Sequence, residues 1–117
     1  MLVVISPAKK LDWATRDVAA TAPDFQDDAI SLARTARNLS LGDLKGLMHL
    51  SDALASLNRD RFKAFQDVPT ADVTRPAALA FAGDTYQGLE ASTLDTDEME
   101  WAQDHLRILS GLYGVLR

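Results

Sequence analysis

The sequence contains no cysteine, two histidines and no long apolar run, and each scarcity disfavours or excludes a class of protein. Without cysteine the chain forms no disulfide and no thiolate metal site, which is compatible with the cytoplasm. No segment approaches the roughly 18 consecutive apolar residues of a membrane span. The apolar start, Met1–Ile5, is too short for a secretion signal. We therefore expect a cytoplasmic protein with no membrane partner.

Positive charge is also scarce. The chain has 12 Lys or Arg against 17 Asp or Glu, a formal net charge of −5. This balance disfavours nonspecific nucleic-acid binding by the segment as a whole, although a local basic face escapes the argument. The histidines, His49 and His105, are far apart and no Glu-x-x-His motif is present. Direct iron sequestration is therefore disfavoured, and we expect no cofactor and no metal.

What the chain does have is the composition of one modest globular domain. It contains 117 residues, of which 47% are hydrophobic and 25% charged. The last stretch, His105–Arg117, is apolar and aromatic with turn glycines, whereas a natural terminus more often frays into polar residues. We expect residues 1–117 to form a single domain that is the N-terminal part of a longer protein.

Two apolar runs predict strands. Leu2–Ile5 is β-branched and typical of a buried strand, which Ser6-Pro7 ends because proline cannot donate to a ladder. Residues 8–22 lack periodicity and are predicted as loop. Ala77–Phe81 is a second short apolar run, ended by Gly83, and its length favours a strand although alanine is weak there.

Capping signals predict several short helices. One starts near Thr21–Asp24, others follow Ser40 and Ser51, and Asn58 is a candidate cap for a further short helix. Thr96–Glu98 opens the last helix. Its predicted apolar face consists of Met99, Ala102, Leu106 and Leu109. Short buried strands with several short helices indicate an α/β fold, with a mixed α+β arrangement as the alternative.

Polar residues follow both predicted strands, where open α/β sheets usually place ligands. Ser6 can donate a hydrogen bond, and Lys9 can neutralise a phosphate or carboxylate. After the second run, Gly83 permits close backbone approach while Asp84 and Tyr86 can face a cleft. The alternative is two strand-ending turns, in which Lys9 is solvated, Asp84 caps the next segment and Tyr86 packs.

Two arginines near the end of the chain add to this set. An arginine in a cleft needs an anionic partner, so Arg107 and Arg117 would meet either Asp84 or a phosphate. In an enzyme acting on a small phosphorylated or carboxylated molecule, the catalytic candidates are Ser6, Lys9, Asp84, Tyr86 and Arg107. No Ser-His-Asp spacing supports such an enzyme, and a non-enzymatic role is favoured.

Several blocks together resemble the bacterial YaaA family, in the same order and over nearly the whole chain. They are Ser6–Lys9, Leu47–Ser51 with Leu54, Ala55 and Asn58, Arg61-Phe62, Ala80–Leu89 and His105–Gly114. The resemblance covers only about the N-terminal half of a typical member. It implies a cytoplasmic protein that aids survival of hydrogen peroxide by limiting free intracellular iron and hence DNA damage. It also implies a family-specific α/β fold with a cationic cleft that binds DNA.

The resemblance further implies a helix-hairpin-helix-like element, here over Leu44–Phe65, in which backbone N–H groups and a helix N-terminus meet a phosphate. This chain departs from the hairpin pattern. No glycine lies between Leu47 and Ala53, and Asp52 occupies the place where a phosphate would approach. The DNA-binding candidates are Lys9, Lys45, Arg59, Arg61, Lys63 and Arg117. The alternative is a helical bundle with polar outer faces, and an incomplete sheet would also promote self-association.

Overall fold

The structure, a computed structural model, describes all residues 1–117, which divide into two compact units. Unit 1 comprises Met1–Gln26 with Thr70–Arg117, and unit 2 comprises Asp27–Pro69. The expectation of a single domain stays a prediction. No helix is both long enough and apolar enough to cross a membrane.

Six α-helices and five short strands make a mixed α/β structure, as predicted. In chain order they are β1 (Val3–Ile5), β2 (Lys10–Leu11), α1 (Gln26–Arg37), α2 (Leu41–Met48), α3 (Asp52–Ala64), α4 (Ala77–Ala80), β3 (Phe81–Ala82), α5 (Asp84–Leu89), α6 (Thr96–His105), β4 (Leu106–Ser110) and β5 (Gly114–Leu116), with 3₁₀ turns at Ala71–Val73 and Ala91–Thr93.

The main sheet of unit 1 has the strand order β1-β4-β5. Strand β1 runs parallel to β4 with Ile5 opposite Ile108, and β4 runs antiparallel to β5 with Ile108 opposite Leu116. Ile108, Leu116 and Tyr86 form the buried core on one face of this sheet. The predicted first strand is confirmed, but its predicted burial is wrong, because β1 is an edge strand and Val4 projects away from the core.

The predicted second strand is wrong over most of its length. Residues Ala77–Ala80 form α4, and only Phe81–Ala82 are extended, pairing antiparallel with β2 inside the predicted loop 8–22. Alanine has the highest helix propensity and offers little side chain to pack on a sheet, so this segment turns helically after Pro76.

The predicted last helix is confirmed at its start and wrong at its end. Asp95 caps α6, its carboxylate accepting from the N–H of Glu98 at 2.9 Å, and the Glu98 carboxylate accepts from the N–H of Asp95 at 2.9 Å. The helix ends at His105, so Leu106 and Leu109 belong to β4 rather than to a helical face. Pairing with the distant strand β1 outweighs the local helical pattern here.

Unit 2 contains α2, α3 and nearly all of α1, and two of its predicted caps are confirmed. The Ser40 hydroxyl accepts from the N–H of Asp43 at 3.1 Å, and the Ser51 hydroxyl accepts from the N–H of Leu54 at 3.3 Å. The predicted cap at Asn58 is wrong. Its amide lies inside α3 and donates to the carbonyl of Leu54 at 2.8 Å, so the helix continues through it.

The ends of α2 and α3 are closed by specific backbone contacts. Helix α2 stops at His49, which has a left-handed φ of 53°, and the N–H of Leu50 donates to the carbonyl of Lys45 at 3.2 Å. At the end of α3, the Arg37 guanidinium from α1 donates to the carbonyl of Phe62 at 2.8 Å and to that of Phe65. The Phe62 carbonyl also accepts from the N–H of Phe65 at 3.3 Å, so Arg37 reinforces a backbone cap at the end of this helix.

Candidate functional site

The structure brings Ser6 and Tyr86 into direct contact. The Tyr86 hydroxyl donates to the main-chain carbonyl of Ser6 at 2.5 Å, at the end of β1. Its ring lies 5.6 Å from that of Phe81 between centroids, and the residue is only 7% exposed. Burial raises the pKa of the Tyr86 phenol. The contact uses the main chain of Ser6, so it engages the Tyr86 hydroxyl without the serine side chain.

Tyr86 also lines a cleft of about 380 Å³ beside the β2–β3 ribbon. Its charged lining residues are Lys10, Asp12, Arg16 and Glu90, and its other lining residues include Gly83, Gln87, Ser92 and Thr93. Arg16 donates to the Asp12 carboxylate at 3.1 Å, so one of the two cations is already paired. Lys10 and Glu90 are the remaining charged residues, so the lining as a whole has two cations and two acids.

The cleft differs from the set predicted from the sequence. Lys9 and Asp84 are exposed and do not line it, whereas Lys10, Asp12 and Arg16 do. The sequence offered no signal for this, since residues 8–22 were predicted as loop and β2 begins only at Lys10. Only the pairing of Lys10 with Ala82 decides which of the two lies by the cleft.

Neither C-terminal arginine meets Asp84. Arg107 lies in β4 and donates to the carbonyls of Gln103 and Leu106, both at 2.9 Å. Arg117 forms an ion pair with Asp24 at 3.6 Å. Of the five catalytic candidates, Ser6 and Tyr86 are thus in contact, and any catalytic role stays a prediction.

The predicted DNA-binding residues of unit 2 differ in their surroundings. Lys45 Nζ lies 2.6 Å from Asp52 Oδ1, and this hydrogen bond and charge hold the pKa of the Asp52 carboxyl below its usual value. Arg61 and Lys63 are exposed in the last turn of α3, and Arg59 has a buried Nε with no hydrogen-bond partner.

The net charge is divided unequally between the two units. Residues 27–69 contain six Lys or Arg and six Asp, so unit 1 carries the whole net charge of −5.

Both histidines lie at the ends of helices. His105 stacks on Trp101 with ring centroids 4.0 Å apart, and its Nδ1 lies 2.7 Å from the Trp101 carbonyl. His49 ends α2 in a left-handed conformation. No group of three or more His, Cys, Asp or Glu residues is arranged to hold a metal ion.

A three-stranded sheet with a buried tyrosine at its strand end, together with a separate unit of helices, defines a mixed α/β protein. The family profile described as peroxide stress protein YaaA matches residues 1–117. The chain belongs to this family.

Curated relatives agree with that assignment. A UPF0246 protein of Ruegeria pomeroyi is 80% identical over the whole chain, which covers 46% of that relative. A UPF0246 protein of Roseobacter denitrificans is 74% identical, with 45% of it covered, and one of Caulobacter vibrioides is 53% identical, with 46% covered. The chain spans less than half the length of these relatives, which agrees with the expectation that it is one part of a longer protein.

Proposed function

We propose that this chain is part of a cytoplasmic protein that protects bacteria from hydrogen peroxide by limiting free intracellular iron and by binding DNA. The observation that carries the proposal is the match of all 117 residues to the peroxide stress family. The relatives are more than twice as long, so the proposal concerns the whole protein.

Within the chain, unit 2 offers the best support for the DNA contact. It is electrically neutral while unit 1 carries the net negative charge, so phosphate repulsion is weakest there. Helices α2 and α3 pack as a hairpin joined at His49–Ser51. The exposed side chains of Arg61 and Lys63 are available to neutralise phosphates.

The hairpin turn itself is a poorer phosphate site. Asp52 occupies the first turn of α3 and is paired with Lys45, so a negative charge lies where a phosphate would approach the helix N-terminus. We therefore place the contacts of unit 2 on the C-terminal half of α3, with Arg61 and Lys63 as phosphate contacts and Arg59 beside them.

The test uses this chain and a chimera in which residues 1–117 replace the matching residues of the Ruegeria pomeroyi relative. Fluorescence anisotropy of a labelled DNA duplex is measured for both across a salt series. We expect the chimera to bind with a steep salt dependence, because phosphate contacts release counterions. Binding that does not strengthen when the salt is lowered would contradict the DNA proposal.

Variants locate the contact. Arg61→Ala with Lys63→Ala should reduce the salt slope by about 2, since each phosphate contact contributes about 1. The control is Lys10→Ala, which removes a single exposed cation from unit 1 and should leave the salt slope unchanged. An equal loss in the control would place the contact elsewhere.

The peroxide and iron parts need a cellular test. Cells that lack their own family member are supplied with the chimera, and survival of hydrogen peroxide and chelatable iron are measured. We expect survival to rise and chelatable iron to fall. Survival without a change in chelatable iron would separate the stress role from iron limitation.

A second candidate function is the binding or conversion of a small phosphorylated or carboxylated molecule. The observation that favours it is the cleft beside Tyr86, which has Lys10 in its lining. A thermal-shift screen of phosphorylated and carboxylated metabolites tests it on the chimera. A stabilising compound whose effect is lost in Lys10→Ala, but kept in Lys9→Ala, supports this function over the predicted Lys9 site.

A further inference from the structure

One face of the β1-β4-β5 sheet is buried at Ile108 and Leu116, although Val3 at its edge is 42% exposed. Side chains alternate along a strand, so Ile5, Ile108 and Leu116 share the core face. Their neighbours on the same strands point to the opposite face. This outer face consists of Val4, Arg107, Leu109 and Val115, with Val4 opposite Arg107 and Leu109 opposite Val115.

The outer face is apolar but open to solvent. Val4 is 51% exposed, Leu109 48% and Val115 37%, whereas Ile108 and Leu116 on the core face are buried. A parallel strand that is apolar on both sides is typical of a sheet with both faces covered. A contiguous exposed apolar patch is typical of an interaction surface.

Arg107 gives this surface a charge preference. It lies between the aliphatic residues of the outer face and is partly buried, and none of the ion pairs involves it. Its guanidinium donates from Nη1 to two main-chain carbonyls, which leaves its positive charge without a compensating carboxylate. A covering segment that is apolar and carries an acid opposite Arg107 would satisfy both features.

The size of the relatives indicates what covers this face. More than half of the residues of the Ruegeria pomeroyi relative have no counterpart in this chain. We propose that an apolar segment from that remaining part of the family polypeptide packs on the outer face and places a carboxylate against Arg107. A segment in the same polypeptide acts at a high effective concentration, which favours it over a second copy. The proposal rests on the family assignment and on the sheet, and it is independent of DNA binding.

Cysteine labelling tests whether a segment packs on the outer face in the longer protein. The chain has no cysteine, so Leu109→Cys introduces a single thiol into residues 1–117, and Val68→Cys is the control at a residue that is 87% exposed. Maleimide labelling of each site is followed by mass spectrometry of its peptide. In the isolated chain we expect both variants to label at similar rates. In the chimera, the thiol of Leu109→Cys should label more slowly than that of Val68→Cys by about 100-fold or more.

Equal rates at the two positions in the chimera would overturn the proposal. Protection that disappears on dilution, together with a dimer in light scattering, would identify a second copy as the occupant and overturn it as well. If the cysteine disturbs folding, hydrogen exchange over residues 106–116 tests the same proposal. It is measured on the unsubstituted chain and on the unsubstituted chimera. Slower exchange in the chimera is the expected result, and unchanged exchange contradicts the proposal.

A separate measurement tests whether a carboxylate of the remaining part faces Arg107. Arg107→Met removes the carbonyl contacts in both proteins, but only in the chimera does it also leave a covered carboxylate without its partner. We expect a larger drop in melting temperature in the chimera than in the isolated chain. Equal drops would show that no carboxylate of the remaining part faces Arg107.

Discussion

The hydroxyl of Tyr86 and the main-chain carbonyl of Ser6, 80 residues apart in sequence, are joined by a hydrogen bond of 2.5 Å. This bond ties the first turns of α5 to the end of β1, beside the core residues Ile108 and Leu116. Because the acceptor belongs to the main chain, the bond does not depend on which residue occupies position 6.

Tyr86→Phe should lower the free energy of unfolding by about 1 kcal/mol, because it removes one hydrogen bond and keeps the packed ring. Ser6→Ala is the matched control and should change stability by less than about 0.5 kcal/mol, since the carbonyl remains. Urea unfolding followed by circular dichroism measures both. A loss in Ser6→Ala as large as in Tyr86→Phe would mean that the serine hydroxyl also takes part.

Stability should fall at alkaline pH. Burial raises the pKa of both tyrosines, Tyr86 and Tyr113, above the ordinary value of 10.0. The folded state then holds these protons more tightly than the unfolded state, so their contribution is fully present below pH 10 and is lost as pH rises through the folded pKa values. Ultraviolet titration of the phenols and urea unfolding between pH 8 and 11 check this. Phenols that ionise with their ordinary pKa, and a stability that does not fall in this range, would contradict it.

Two glycine substitutions should have opposite signs. Gly114 has a φ of 71°, and a Cβ there would lie 3.2 Å from Phe25 Cδ2, so Gly114→Ala should destabilise by about 1–3 kcal/mol. Gly88 lies within α5 with nothing near its Cβ position, so Gly88→Ala should stabilise by about 0.5–1 kcal/mol. Both residues belong to unit 1, and thermal melts of the two variants make the comparison. Melting temperatures that shift in the same direction would rule out this backbone explanation.

Removing the charge of Asp52 should strengthen DNA binding, because unit 2 then has one acid fewer and Lys45 is released as a further cation. Asp52→Asn frees Lys45 and removes the negative charge from the first turn of α3, so the salt slope of the chimera should steepen by about 1. Asp27→Asn, an exposed acid in the first turn of α1, is the control. Equal effects of the two substitutions would indicate a general change in net charge.

The contribution of the Lys45–Asp52 ion pair to stability should depend on pH. The pKa of Asp52 is depressed below its ordinary value of 3.8, so any stability it contributes is present above that pH and is lost as the pH falls further. Carboxyl titration by NMR follows Asp52 directly, and Lys45→Ala should return its pKa toward the ordinary value.

The starts of α2, α3 and α6 were predictable because their signals are local, whereas α1 begins at Gln26, after the predicted start near Thr21–Asp24. Ser40, Ser51 and the acids around Asp95 cap helices through bonds that span three residues. Asn58 shows the limit of such signals, because its side-chain amide donates to the carbonyl of Leu54, four residues earlier, and the helix continues through it. The short strand Val3–Ile5 was likewise visible as a β-branched run.

The candidate site was predictable only in part. Ser6 and Tyr86 were singled out, but their contact depends on how α5 meets the end of β1. The cleft residues Lys10, Asp12 and Arg16 were missed, because the pairing of β2 with β3 sets which side of the strand faces the cleft.

The sequence by itself determined the family, the starts of α2, α3 and α6 and the mixed α/β character, because motifs and hydrogen bonds within a few residues are readable along the chain. Only the tertiary structure decided that Leu106–Ser110 is a strand and that Val4 lies on an open face. Those outcomes depend on partners such as β1 and β4, which lie about a hundred residues apart. A short apolar segment takes the conformation that its distant partner stabilises, and no local pattern records that partner.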